Sequence, residues 1–282
     1  MPRQYNISKE FIEKEYFQNN KSQDEIAKML GVSQWVISQR MKDFNLKAKD
    51  RTWKLHKRKY SVDDNFFDEL NPITAWVLGW LASDGYINKC GNAFRFGITV
   101  SKKDQDIIDK LKKLLKYEGK AYAIKTKLEK TGKEYDEIIL KVTSNKIVQR
   151  LSEFGLGTNK TKRLSFPTIV SNSENEEIIK AFIQGFFEGD GSILFDEKQK
   201  SPCFQIVGTK EMLKEIQHKL INYLCIGKTK LTKYKRSDNH FALRYRGKFQ
   251  AIKIMDWLYS NPENYLDRKY NKYLEIKRRL LI

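Results

Sequence analysis

Two segments of this chain, VLGWLASDGYI and IQGFFEGDGSI, resemble each other and constrain its fold more than any other feature. Their Asp-Gly pairs place Asp84 and Asp190 at positions that are 106 apart. Lys160 and Lys269, which follow much later in the two halves, are 109 apart, so the offset changes little along the way. An offset this constant indicates two copies of one structural unit.

Each copy has the same predicted order of elements: helix, two strands, helix, two strands, helix. In the first copy the strands are expected near Tyr86–Ile87, Phe94–Val100, Ala121–Leu128 and Glu137–Thr143. In the second copy they are expected near Ser192–Phe195, Phe204–Gly208, Lys228–Tyr234 and Phe241–Tyr245. The helices between the strand pairs should cover Asp104–Leu115 and Lys210–Tyr223. The predicted fold class is α+β, a pseudo-symmetric tandem αββαββα repeat.

A small all-α module precedes the repeats. Ser22 and Glu25 form a potential capping box before one helix, and Gly31 separates that helix from a second, which Ser33 can cap. The apolar residues that would join the two helices are Ile26, Ala27, Leu30, Val36, Ile37 and Met41. This pattern predicts a helix-turn-helix, whose second helix would present to a DNA major groove the side chains of Gln34, Ser38, Gln39 and Lys42. A helical hairpin with a glycine turn and no DNA contact is the alternative.

Four regions follow from these patterns. We expect a helix-turn-helix module at 1–50, a basic linker at 51–70, the first repeat at 71–172 and the second repeat at 173–282. Two such repeats in one chain predict a monomer with an internal pseudo-two-fold axis.

Small residues lie four positions apart in both apolar helices that end at an Asp-Gly pair. They are Gly79 and Ser83 in the first helix, and Gly185 and Gly189 in the second. Residues at i and i+4 share a helix face, so each helix has a strip where another backbone can approach closely. We predict that the two helices pack along these strips and bring their C-terminal ends together.

That packing would place the carboxylates of Asp84 and Asp190 side by side at the negative ends of two helix dipoles. Each following glycine, Gly85 and Gly191, is expected to form a left-handed helix cap and to belong to the same sites. Divalent cations would relieve the repulsion, because Mg²⁺ binds through one or two carboxylates together with phosphate oxygens and waters. The sequence therefore predicts Mg²⁺ here, with Mn²⁺ as a substitute.

The charge of the chain points to a polyanionic partner. Its 54 basic and 35 acidic residues give a formal net charge of +19, for which nucleic acid is the leading explanation. Several basic residues alternate along predicted strands and would form charged faces. The residues predicted to contact DNA from the strands are Lys125, Lys127, Lys141, Lys228, Lys230, Arg236, Arg244 and Arg246.

The segments Val77–Gly85 and Ile183–Gly191 resemble the paired motifs of single-chain LAGLIDADG homing endonucleases. The resemblance runs from about Asn71 to the C-terminus and implies two units that meet at their motif helices, with two saddle-like antiparallel sheets over the DNA. It implies metal-dependent hydrolysis of both strands of a long asymmetric site, leaving staggered 3′ overhangs. Asp84 and Asp190 then become the catalytic metal ligands. Lys160 and Lys269 become the basic residues near the two active sites.

Two other functions use the same features. An RNA maturase would bind intron RNA, and a transcription regulator would combine the helix-turn-helix with an inactive core; the intact acids at both corners favour cleavage over both. The three scattered cysteines indicate neither a disulfide framework nor a zinc site. No signal segment and no apolar run of about 20 residues is apparent, which predicts an intracellular, cytoplasmic protein of a bacterial or phage-type host with no membrane partner.

Overall fold

A computed structural model describes residues 7–49, 60–91, 93–127, 132–158, 164–234 and 239–281. The chain divides into two units, Met1–Lys57 and Arg58–Ile282. Arg236 and Lys160 lie outside the described residues, as do residues 51–59 of the predicted basic linker. Among the described residues, no helix is long and apolar enough to span a membrane.

The first unit contains helix α1 (Lys9–Ile12), a π-helical stretch (Glu13–Gln18), α2 (Gln23–Leu30) and α3 (Gln34–Asp43). The capping box forms as predicted, and Gly31 ends α2 in the left-handed conformation with φ of 64°. The buried core consists of Ile7, Ile12, Tyr16, Ile26, Ala27, Ile37 and Met41. Leu30, predicted to belong to the apolar seam, is exposed instead, because α1 and the π-helical stretch cover the opposite side of α2.

The second unit contains the two repeats. The elements of the first repeat are α4 (Pro72–Ser83), β1 (Gly85–Cys90), β2 (Ala93–Ser101), α5 (Gln105–Leu114), β3 (Tyr122–Lys127), β4 (Glu134–Thr143) and α6 (Asn145–Glu153). After the short α7 (Thr168–Ser171), the second repeat has α8 (Glu176–Asp190), β5 (Gly191–Asp196), β6 (Ser201–Gly208), α9 (Lys210–Leu224), β7 (Thr232–Lys233), β8 (Phe241–Arg246), α10 (Gln250–Leu258) and α11 (Asp267–Leu281). The described strands form two antiparallel sheets of order β1-β2-β4-β3 and β5-β6-β8-β7. The fold is therefore α+β, as the repeat predicted.

The strand register corrects the repeat alignment by one residue. Gly85 pairs with Ile98 in the first sheet, and Gly191 pairs with Ile206 in the second. In the sequence, the match of Val100 in FGITV with Val207 in FQIVG suggests an offset of 107 positions. The paired residues show instead that the central strands β2 and β6 are offset by 108 positions. A shift of one residue matters in a strand, because it moves a side chain to the opposite face of the sheet.

Helices α4 and α8 cross at the centre of the second unit, where their backbones touch. All residues from Thr74 to Ala82 are buried, as expected for a helix that is apolar on every side. A Cβ atom built on Gly79 would lie 2.3 Å from the Phe182 carbonyl oxygen, and one on Gly185 would lie 2.1 Å from the Trp76 carbonyl oxygen. Only glycine fits at these two positions, so the small residues set the distance between the helices.

A polar cluster links the two repeats a second time, between α5 and the start of α11. The Arg268 guanidinium makes a bidentate ion pair with Asp104, through contacts of 2.7 Å and 2.9 Å. The Lys110 ammonium donates to the Tyr265 carbonyl at 2.5 Å and to Asp267 at 2.7 Å. The bidentate geometry fixes the start of α11 relative to the first repeat.

Residues 60–70, at the end of the stretch predicted to be a linker, pack on the second unit. Phe67 is buried in its core, and Val62, Phe66 and Leu70 pack against that core. The capping box of Asn71 and Thr74 then begins α4 directly. This segment contributes to the fold of the repeat that it precedes.

Replacing Gly79 with alanine tests the close helix contact. The added methyl group would collide with backbone atoms of α8, which cannot move without separating the helices, so we expect a loss of about 3 kcal/mol in the free energy of unfolding. Urea denaturation measures this loss. The matched control is Gly157→Ala, where a Cβ atom meets nothing within 4 Å. Equal stabilities of the two variants would contradict the proposed role of Gly79.

Candidate metal-binding and DNA-contacting site

The two motif acids lie at the adjoining ends of α4 and α8. Asp84 is the C-cap of α4, and Asp190 is the last residue of α8. A Cβ atom built on Gly189 would lie 2.0 Å from the Ser83 hydroxyl oxygen and 2.7 Å from Asp84 Oδ2. The Asp84 carboxylate therefore rests against the backbone of the residue that precedes Asp190. Both aspartates are half-buried and have polar partners of their own.

The glycines after the two acids are required for a reason other than the one predicted. Neither Gly85 nor Gly191 adopts a left-handed conformation; Gly191 is extended, with φ of −99° and ψ of 171°. A Cβ atom on Gly85 would lie 2.5 Å from the Leu81 carbonyl oxygen, and one on Gly191 would lie 2.4 Å from that of Phe187. The chain turns directly from each helix into a strand, and this close turn excludes a side chain.

Lys269 is buried at the end of α8. Its ammonium donates to the carbonyl oxygens of Phe187 at 2.8 Å, Glu188 at 2.5 Å and Gly191 at 2.6 Å, and lies 3.4 Å from that of Gly189. The carbonyls of Phe187, Glu188 and Gly189 belong to the last turn of α8, whose carbonyls have no partner within the helix, and that of Gly191 belongs to the first residue of β5. Burial lowers the pKa of Lys269 to about 8, although the Glu188 carboxylate opposes the shift. Lys269 thus holds the backbone around Asp190.

Glu188 is a buried carboxylate that sequence reasoning missed. Its Oε2 accepts hydrogen bonds from the indole nitrogens of Trp76 at 2.9 Å and Trp80 at 3.2 Å, and its Oε1 accepts one from the Gln184 amide at 3.0 Å. Burial raises the pKa of Glu188 to about 7, against the lowering effect of the hydrogen bonds from Gln184 and Trp76. A charged residue among the apolar residues of IQGFFEGDG was the available signal.

The two motif acids fit a hard divalent cation. Among the described residues, no group of three or more His, Cys, Asp or Glu side chains could hold a metal. Two carboxylates from facing helix ends, with backbone carbonyls beside them, match a cation that takes its remaining ligands from phosphate and water. Gly191 would be able to contribute its carbonyl only alongside the hydrogen bond that it accepts from Lys269.

Each sheet turns one face away from the core, and both of these outer faces include basic residues. In the first sheet Phe96, Ile98 and Val100 of β2 are buried, so Gly97 between them lies on the outer face. The residue of β4 that pairs with Gly97 lies on the same face. Lys141 pairs with Gly97 and is exposed. In the second sheet Arg244 takes the equivalent place, opposite Gln205, and Arg246 shares its face. Lys141 and Arg244 are structural counterparts.

Several strand residues predicted to contact DNA lie elsewhere. Lys125 and Lys127 pair with Asp136 and Glu134, on the same side of the sheet as the buried Ile138, so they point away from the Lys141 face. Lys228 and Lys230 precede β7, which contains only Thr232 and Lys233. The predicted strand Lys228–Tyr234 was therefore too long. Its alternating basic residues suggested one charged strand face, but residues 228–231 are not in a strand.

The outer faces include polar residues that the charge pattern did not single out. In the first sheet these are Tyr86, Asn88, Arg95, Tyr122 and Thr143. In the second sheet they are Ser192, Gln205, Tyr234 and His240. The alternation of Phe96, Ile98 and Val100 in FRFGITV would have identified Arg95, because a residue adjacent to a core position of a strand points to the opposite face.

Beside the second acid lies a groove of about 610 Å³ between the end of α8, β5 and α11. Its lining includes Ser192, Leu194, Arg268, Lys269 and Lys272. Glu275 also lines the groove, and the three cations already have partners: Arg268 pairs with Asp104, Lys269 with backbone carbonyls and Lys272 with Glu275.

Helix α3, the second helix of the predicted helix-turn-helix, has both exposed and half-buried side chains among the residues predicted to contact DNA. Gln34 and Lys42 are exposed, whereas Ser38 and Gln39 are half-buried. Trp35, at the start of the same helix, is 68% exposed. An exposed tryptophan of this size on a helix start is a candidate contact residue that the sequence prediction omitted.

Comparison with known proteins agrees with this geometry. Residues 71–162 match a protein family described as LAGLIDADG-like domain. The second copy repeats its strand order and its motif helix beyond the matched residues. A search of curated proteins by sequence finds no match.

Solved structures similar to this chain include homing endonucleases. The homing endonuclease I-WcaI bound to its DNA recognition sequence is 14% identical, with a TM-score of 0.52 over 82% of this chain and 96% of that one. The I-SmaMI LAGLIDADG homing endonuclease bound to cleaved DNA is 17% identical, with a TM-score of 0.46 over 76% of this chain and 90% of the other. I-LtrWI bound to target DNA is 14% identical, with a TM-score of 0.45 and coverages of 77% and 90%. The likeness to I-WcaI supports the tandem LAGLIDADG fold.

Replacing Lys269 with methionine tests its hold on α8. Methionine keeps the apolar stem but leaves buried carbonyls without a donor and Glu188 without its nearby cation, so we expect a loss of about 3 kcal/mol in the free energy of unfolding. Lys272→Met is the control, because Lys272 is half-exposed and makes only a surface ion pair with Glu275. A Lys269→Met protein as stable as the control would rule out this structural role.

Proposed function

We propose that this protein is a site-specific DNA endonuclease that hydrolyses both strands with divalent metal bound at Asp84 and Asp190. The observation that carries the proposal is the position of the Asp84 carboxylate against the end of α8, beside Asp190. Two acids that meet at the ends of two helices would repel each other, and a shared cation site explains why the fold brings them together. The LAGLIDADG-like domain supports the same conclusion.

Asp84 and Asp190 would hold the metal, with the Gly85 and Gly191 carbonyls close by. The bound cation, Mg²⁺ or in its place Mn²⁺, would activate water and stabilise the leaving oxygen of a phosphodiester. Lys269 would act by fixing the backbone around Asp190, since its hydrogen bonds go to backbone carbonyls. Lys160, its counterpart in the sequence repeat, would serve the first half.

The two outer sheet faces would receive duplex DNA, with Lys141, Arg244 and Arg246 neutralising phosphates. Polar neighbours such as Arg95 and Gln205 would read base edges in the groove. Because the two faces differ in sequence, the target should be asymmetric. A single chain that contains both halves would act as a monomer, and cleavage would leave staggered 3′ overhangs.

Helix α3 would extend the recognition site through the major groove. Gln34 and Lys42 are exposed on it and Trp35 stands beside them. The left-handed turn at Gly31 between α2 and α3 supports this mode of binding.

Selection of cleaved sequences from a randomised duplex library with Mg²⁺ tests the proposal directly. We expect one long asymmetric site to be recovered. A protein that cuts no duplex but binds structured intron RNA would favour the maturase instead, and one that binds duplex without cutting it would favour the regulator.

The double variant Asp84→Asn, Asp190→Asn should bind the selected target but not cleave it. The amide keeps the size of each side chain but cannot supply the charge that holds a divalent cation. Cleavage of end-labelled duplex and gel-shift binding measure the two properties. Chelation of metal by EDTA should abolish wild-type cleavage in the same assay. A double variant that still cuts would overturn the assignment.

The salt dependence of binding tests the proposed contact surfaces. A variant that neutralises one phosphate fewer should have a slope of log affinity against log salt that is shallower by about 0.9. We therefore expect a shallower slope for Lys141→Ala, Arg244→Ala and Lys42→Ala. Lys125→Ala is the matched control, since Lys125 points to the other side of its sheet and should leave the slope unchanged. The prediction fails for any of the first three variants whose slope equals that of the control.

A further inference from the structure

One hydrogen-bond network crosses the interface between α4 and α8 in one direction only. Glu188 of α8 accepts from the indoles of Trp76 and Trp80 on α4. By the 106-residue repeat, the counterpart of Glu188 is Ala82, and the counterparts of the two tryptophans are Phe182 and Phe186. The opposite crossing therefore has neither an acceptor nor a donor. The internal two-fold symmetry is broken at the centre of the molecule.

The same carboxylate is fixed from its own side of the interface. The Gln184 amide donates to Glu188 Oε1 at 3.0 Å and to the Asn264 carbonyl oxygen at 2.7 Å, in the segment before α11. With 1% of its surface exposed, Glu188 has almost no access to water. Indole and amide donors thus hold a buried anion in one orientation, and a buried anion needs such donors to be tolerated.

Lys269 connects this anion to the backbone around Asp190. Its ammonium is influenced by the Glu188 charge and donates to the carbonyl oxygens of Phe187, Glu188 and Gly191. Those carbonyls flank Asp190 on both sides along the chain. Glu188 therefore joins the two indoles of the first repeat to the last turn of α8, and Lys269 binds the backbone carbonyls of the same turn, next to the second acid.

We propose that Glu188 is a positioning residue for the second half of the active site, whereas its counterpart in the first repeat, Ala82, has no carboxylate to act in the same way. This inference rests on the proposed endonuclease function. The two halves then differ in the side chains that orient each acid, although each contributes one aspartate. Loss of Glu188 should impair the cleavage of one DNA strand while sparing the other. A residue that served only overall stability would impair both alike.

The test uses a supercoiled plasmid that contains one copy of the selected target, with strand-specific primer extension to locate nicks. For Glu188→Gln we expect cleavage of one strand to slow about 10-fold, within the range for groups that orient metal ligands, while the other changes less than about 2-fold. Nicked circles should accumulate, with every nick on the same strand. Trp80→Phe removes one donor to Glu188 and should shift the ratio of strand rates in the same direction.

Trp257→Phe is the matched control for Trp80→Phe. It also removes an indole that donates to a carboxylate of α8, but that carboxylate belongs to Glu176 at the start of the helix, and the bond is exposed. Removing this indole should leave the strand ratio at the wild-type value. If Glu188→Gln does not fold, Trp80→Phe alone decides the question.

Hydrogen exchange provides a readout that does not depend on cleavage. In Glu188→Gln, amides of residues 183–194 should exchange faster than in the wild type, whereas those of residues 77–88 should not. Equal slowing of both strands, nicks divided between strands or unchanged exchange at 183–194 would each overturn the proposal. If the wild-type protein cut no DNA, the endonuclease function would fail, and the exchange result would still decide whether Glu188 supports the end of α8.

Discussion

Close contact between α4 and α8 excludes a side chain at Gly79 and Gly185, which meet backbone atoms, and at Gly189, which meets the side chains of Ser83 and Asp84. The position of the two acids depends on that contact. A larger residue at any of these places would push the helices apart, and the Asp84 carboxylate would leave the end of α8. The apolar surface of α4 is buried on all sides, so the interface cannot shift without exposing it. Fold and active-site geometry therefore depend on one constraint.

This arrangement concentrates negative charge inside a strongly basic chain. Two helix ends, two aspartates and the buried Glu188 lie close together, and Lys269 is the buried cation that the described structure places among them. A lysine in this position costs desolvation, as its lowered pKa reflects, and it regains hydrogen bonds to carbonyls that have no helical partner. The basic residues of the outer faces lie elsewhere and remain available to a polyanion.

Sequence reasoning recovered the features that depend on local pattern and failed where tertiary structure decides. The repeat predicted the fold, and the small residues of VLGWLASDG and IQGFFEGDG predicted the helix contact. Lys125 and Lys127 were assigned to the wrong face of the sheet. Alternating lysines share one face of a strand, but the alternation does not say whether that face is the outer one. The predicted left-handed conformation of Gly85 was wrong, because the glycine is required for a different reason, the close turn from α4 into β1. Glu188 was missed because its indole partners are more than 100 positions away.

Fusion of two repeats in one chain removes the requirement that they remain identical, and this molecule differs at each level where symmetry would otherwise apply. The first sheet has a six-residue β3, whereas its counterpart β7 has two residues. At equivalent positions of the central strands the first sheet has the half-buried Arg95, whereas the second has the buried Cys203. At the interface Glu188 faces two indoles, while its counterpart Ala82 lies opposite phenyl rings. A symmetric ligand would gain nothing from these differences, whereas the asymmetric duplex of the proposed function would be read differently by each half and cut by two acids whose supporting side chains differ.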